Sequence, residues 1–108
     1  CGVMGNNDTL VKAILDAGED VHEKFWELPL VDEYKALLKS QVADISNISS
    51  IRWGGTITAG LFLERFAGKY QWAHCDIAAA IFDKGDDLHP AGGTGIGVRM
   101  ALQMLHKI

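Results

Sequence analysis

The chain has 108 residues, 48% of them hydrophobic and 22% charged, with a formal net charge of -4 and a sequence pI near 5.4. That length holds one domain at most, and a chain this size buries only about two-thirds of the surface its unfolded form exposes. Lys12, Lys24, Lys35 and Lys39 are interleaved with acids, so no basic stripe is offered to nucleic acid, and no stretch approaches the roughly 20 apolar residues of a membrane span.

The first seven residues, CGVMGNN, are a short apolar piece followed by turn chemistry, with Asn7 or Asp8 placed to cap a helix. Leu10, Ile14, Ala17, Val21 and Phe25 recur at spacings of three and four, which predicts an amphipathic helix over about residues 8–27. Asp20 and Lys24 would pair on its outer face, and Pro29 would stop it. A second helix is expected over about 31–39, burying Tyr34 with Leu37 or Leu38. Residues 40–53 lack helical periodicity and are rich in Ser and Asn. A connection this long is usually functional or disordered, and its Val42, Ile45, Ile48 and Ile51 argue for order.

Residues 57–66 predict a largely buried helix, in which Gly60 would permit close backbone packing and which Gly68 would end. Residues 72–77 are the one convincing strand, and their apolar character continues through Phe82, as suits a central strand covered on both faces. A final helix after Thr94 would bury Val98, Ala101, Leu102, Leu105 and Ile108, leaving Arg99, Gln103 and Lys107 outside. The fold class is therefore α/β, with four helices and one clear central strand. That strand has no obvious partner in the chain, so either the sequence is part of a larger domain or the strand pairs with another copy.

Several motifs invite chemistry. His74 and Asp76 share a strand face and could ligate a metal with His89 and Asp86 or Asp87, but a histidine held by a neighbouring polar group is the simpler reading. The glycine-rich turn 92–97 before a helix could cradle an anion, although it fits neither the P-loop nor the dinucleotide fingerprint; a tight helix entry is the preferred reading. Cys75 would need a base on its own strand face, and His74 points the other way. Trp26, Trp53 and Trp72 are not interleaved with basic residues and read as core or interface anchors. Cys1 and Cys75 are expected to be free thiols in a cytoplasmic setting, since one lies at the terminus and the other in the strand; no signal-peptide pattern opens the chain. That the chain starts with Cys rather than Met suggests a piece of something longer.

Six segments in order, GVMGNND (2–8), FWELPL (25–30), DEYKALLKSQVADISNI (32–48), GGTITAGLFLERF (54–66), WAHCDIA (72–78) and GGTGIGVR (92–99), resemble the C-terminal part of the leucyl (cytosol) aminopeptidase family. The resemblance implies a helix-flanked mixed-sheet catalytic domain, assembled into hexamers, that removes leucine-like N-terminal residues from peptides with two divalent metal ions, zinc or manganese. Such ions polarise the scissile carbonyl and activate a bridging water. The family's Asn-Thr-Asp-Ala-Glu-Gly-Arg stretch, which supplies metal ligands and a catalytic arginine, is absent from this chain. The resemblance therefore implies no catalytic or metal-binding residue here and a chain that is inert alone.

What it carries over is pocket wall: Asn47 and Ile48 beside the leaving-group side of the peptide, and Ala78 and Ile81 around the N-terminal side chain. Ala79 stands where the family commonly has glycine, Cys75 where it has leucine, and Gly93 where it has a small alanine; the first puts substrate preference in doubt. The alternative is a small non-catalytic module, either binding an anion at the glycine-rich turn or assembling by strand exchange at residues 72–77.

Overall fold

A computed structural model of the chain describes residues 1–85, 87 and 90–107. It is α/β, built around a short strand at the very start of the sequence. β1 (Gly2–Gly5) lies between β2 (Trp26–Glu27), to which it is parallel, and β3 (Ala73–Asp76), to which it is antiparallel. Val3 pairs with Cys75 and Met4 with His74. Strand alternation sends Val3 and Met4 to opposite faces, and both are fully buried. Val3 joins Val11, Ile14, Ala17 and Met100 in a core under α1 (Asp8–Asp20) and α3 (Val98–Lys107). Met4 instead meets α2 (Gly55–Ala67) at Gly60. The central strand is thus β1, covered on both faces, and the expectation of that place for residues 72–77 is corrected: β3 has its partner within the chain.

The asparagine turn works as read. Asn7 Oδ1 accepts the Leu10 N–H at 2.8 Å and caps α1. Asn6 ties the end of β1 to the approach to β3, accepting from the Trp72 N–H and donating to the Tyr70 carbonyl, both at 3.0 Å.

α1 ends at Asp20, well short of residue 27 and without help from Pro29. His22 takes a left-handed φ of 59°, and the chain folds back over the last turn of its own helix. Gly18 makes this possible, since a Cβ there would lie 2.5 Å from the Glu23 carbonyl oxygen and 2.6 Å from the Phe25 ring. Phe25 still reaches the core, but from the returning segment just before β2 rather than from the helix stripe. Lys24 pairs with Glu19 at 2.7 Å, and Asp20 is left to face α3.

The second helix is a 3-10 helix, Asp32–Leu38; it buries Leu38, whereas Tyr34 is 38% exposed. In α2 only Thr58, Gly60 and Leu61 are buried, and Phe66 is exposed, so the largely buried helix read from the sequence is half open here. Gly68, at φ 59°, closes α2 as read. Beyond β3 the apolar run does not continue as strand. It becomes a 3-10 turn, Ala78–Ala80, and then β4 (Phe82–Asp83), which pairs with β5 (Gly92–Gly93).

α3 packs on α1 by the face opposite to the one expected. Met100 and Met104 enter the core, and Gln103 and Lys107 reach Asp20, while Val98, Leu102 and Leu105 are exposed. Ile108, also assigned to the inner face, lies outside the described residues.

Candidate substrate-pocket wall

Residues 40–53 carry no regular structure, yet their serines organise them. Ser40 Oγ accepts from Val42 and Ala43 N–H groups at 3.2 and 3.0 Å, Ser46 Oγ donates to the Ile48 carbonyl at 2.8 Å, and Ser49 Oγ accepts from the Ile51 N–H at 3.1 Å. Hydroxyls bonding to backbone two or three residues away are how such residues shape turns. Two backbone bonds, Ser46 N–H to the Leu38 carbonyl at 2.8 Å and Ser50 N–H to the Leu37 carbonyl at 3.1 Å, anchor the loop to the preceding 3-10 helix. Val42 and Ile48 are 97% and 74% exposed, so hydrogen bonds rather than apolar burial hold this loop.

Asn47 and Ile48 line an open recess of about 420 Å³ whose opposite wall is the first turns of α2, at Gly55, Thr58 and Ala59. Thr56, on the same first turn, lines a second recess of about 300 Å³ with Gly2, Leu28, Asp76 and Ala79. The α2 N-terminus therefore stands between the two. Ala78 is exposed beside Ala79, and Ile81 is 49% exposed one turn further on. Of the four predicted pocket residues, Asn47 and Ile48 line the first recess, while Ala78 and Ile81 line neither and only their neighbour Ala79 lines the second.

The departure from β3 is shaped by Asp76, whose Oδ1 accepts the Ala78 N–H at 3.3 Å, and by an Ala80 N–H to Ile77 carbonyl bond at 2.9 Å. Asp76 is thus engaged in turning the chain. His74, next to Met4 on the α2 side, has a buried Nε2 with no hydrogen-bond partner. No three His, Cys, Asp or Glu side chains come together as a metal-holding group among the described residues; His89 and Asp86, the further ligands considered, lie outside them. The described residues therefore do not fit a metal centre. Cys1 and Cys75 are free, and burial pushes the Cys75 thiol up from its ordinary value, which disfavours the nucleophilic thiolate.

The glycine-rich turn leads to a helix N-terminus that an internal anion already fills. Glu23, 2% exposed, accepts the N–H groups of Gly97 at 3.0 Å and Met100 at 3.2 Å through Oε2. Its Oε1 lies 2.8 Å from Arg99 Nη2, an ion pair whose alignment falls short of a hydrogen bond. An external anion would have to compete for amides that are in use. Sequence reading missed Glu23; the cue was a carboxylate three residues before an aromatic strand residue, too common a pattern to single out.

Residues 1–102 match the model of the cytosol aminopeptidase family, catalytic domain. The chain is 50% identical over 105 residues to a probable cytosol aminopeptidase of Geobacter sulfurreducens, an alignment that covers 96% of this chain and 21% of that protein. It is 49% identical over 104 residues to proteins of the same name from Nitrosomonas europaea and Pseudomonas paraeruginosa, covering 96% of this chain and 20% of each. The chain therefore spans about a fifth of the length of these relatives.

Proposed function

The chain belongs to the cytosol aminopeptidase family, a family of metal-dependent aminopeptidases, and we propose that the intact protein hydrolyses N-terminal, leucine-like residues from peptides in the cytoplasm. The observation that carries this reading is the family match across nearly the whole chain at about half identity. In it, this chain is the C-terminal segment of the catalytic domain. Two divalent metal ions, zinc or manganese, are held by a lysine and carboxylates outside the chain, and the complete protein assembles as a hexamer.

This chain's own part is to shape the pocket. Ala78, small and exposed, leaves room for a substrate side chain, and Ile81 offers it an apolar contact. Asn47 and Ile48 stand on the ordered loop across α2, suited to the residue after the scissile bond. A methylene of fit in an apolar pocket is worth about 1–3 kcal/mol, so these residues tune preference and do not create activity. The chain alone is accordingly inert.

The test is hydrolysis of leucyl anilide by the intact protein, before and after chelation. Turnover that disappears with chelator and returns with manganese or zinc supports the reading; no turnover of any aminoacyl anilide with either metal overturns it.

A further inference from the structure

The segment that carries Ala78 and Ile81 is held with little help from packing. Ala78 and Ala79 are exposed and Ile81 is 49% exposed, so apolar burial does little to fix its position. Its lateral attachments are polar. Thr94 donates its hydroxyl to the Ala80 carbonyl at 2.5 Å and its N–H to the Ile81 carbonyl at 3.1 Å. The Thr94 carbonyl accepts from Arg99 Nη1 at 3.4 Å, and Arg99 Nη2 lies 2.8 Å from Glu23 Oε1. Glu23 Oε2 in turn grips the start of α3 through Gly97 and Met100.

A continuous run of polar contacts therefore joins a buried carboxylate to the pocket edge. Its two ends differ in enclosure: Glu23 is 2% exposed and Ile81 49%. Glu23 is enclosed beside the α1–α3 core, and a buried carboxylate keeps one geometry because each displaced hydrogen bond leaves charge unmet. The pocket edge has no such enclosure and takes its position from what it is tied to.

We propose that Glu23 and Thr94 are positioning residues for the Ala78–Ile81 edge, setting its distance from the α2 N-terminus without touching substrate. This rests on the reading of that edge as the pocket for the N-terminal side chain. The role differs from a purely stabilising one, because it predicts an effect on which side chain is accepted.

The test uses the intact metal-loaded protein with Glu23→Ala, Glu23→Gln, Thr94→Val and Thr94→Ser, assayed on leucyl and alanyl anilides, together with amide hydrogen exchange over residues 76–85. Glu23→Ala and Thr94→Val should shift the leucyl-to-alanyl ratio of kcat/KM by about tenfold. The change should lie mainly in KM, with kcat within about threefold of wild type. Thr94→Ser, which keeps the hydroxyl, should recover most of the preference, whereas Glu23→Gln keeps one oxygen for Gly97 and Met100 but turns an amide N–H2 toward Arg99 and should recover only part of it. Exchange over 78–83 should quicken in Glu23→Ala and Thr94→Val and not in Thr94→Ser. An unchanged preference, or faster exchange confined to residues 97–100, overturns the proposal. If the wild-type protein hydrolyses neither anilide, the functional reading fails, while the exchange measurement still decides whether Glu23 controls the 78–83 segment.

Discussion

Met4 is fully buried, and its Sδ lies 2.6 Å from where a Cβ on Gly60 would stand, so β1 and α2 approach through the space of a missing methyl. Gly60→Ala gains about 1 kcal/mol of helix propensity and loses about 1–3 kcal/mol to overpacking. The expected outcome is a net fall in the urea midpoint; a midpoint that rises would show that Met4 yields freely. This glycine was legible from sequence, since a glycine inside a helix asks for a reason and close approach is the usual one. Glu23 was not legible, because its role depends on residues more than seventy positions away. The pocket candidates Asn47, Ile48, Ala78 and Ile81 came only from the family resemblance, and it took the fold to set Asn47 and Ile48 against the first turns of α2.

The packing of α3 on α1 turns on which of two stripes faces inward. Val98, Leu102 and Leu105 form the more apolar stripe, and hydropathy alone chooses it; Met100, Gln103, Met104 and Lys107 form the one that meets α1. Polar partners decide the matter. Asp20 takes Gln103 at 2.8 Å and also pairs with Lys107, while Glu23 takes Arg99, so the residues that look like a solvated face are those that dock. In the isolated chain Met100→Ala should cost about 2–4 kcal/mol by urea titration. Leu102→Gln should change stability by no more than about 0.5 kcal/mol; the reverse order would restore the face chosen by hydropathy.

The Asp20 contact also has a pH signature. Lys107, and after it Gln103, hold the Asp20 carboxyl below its usual range. A depressed folded value means that the contribution is present above the unfolded pKa, near 4, and is lost as pH falls through the folded value. The Tm difference between the chain and Asp20→Asn should therefore be greatest near neutrality and close as pH drops below about 4. It should also shrink with added salt, because the pair is exposed. A Tm difference that persists unchanged at low pH would remove the ion pair from the account. Strand identity shows the same limit of sequence reading: β1 is four residues long, too short for its alternation to register, and only its pairing with both β2 and β3 reveals it as the central strand.

Taken whole, the molecule shows more surface than its mass warrants. It exposes 7758 Å², against about 5,900 Å² for a compact monomer of 11.8 kDa. Its radius of gyration is 15.5 Å, where about 13 Å is usual for this length. Much of the excess is apolar: Trp26, Trp53, Phe66, Tyr70, Val98 and Leu105 are each more than 60% exposed. The tryptophans read from sequence as core or interface anchors are therefore not core here, apart from the partly buried Trp72. A chain that spans about a fifth of its relatives and leaves these faces open is consistent with a segment that completes a larger catalytic domain. Under the proposed function this segment shapes a pocket while the metals and the chemistry belong to other parts of the protein. An assay of the isolated chain, at concentrations stoichiometric with leucyl anilide and with manganese or zinc present, beside the intact protein, separates the two roles. The expected result is no hydrolysis by the isolated chain and metal-dependent turnover by the intact protein; turnover by the isolated chain that scales with its concentration would overturn the proposal.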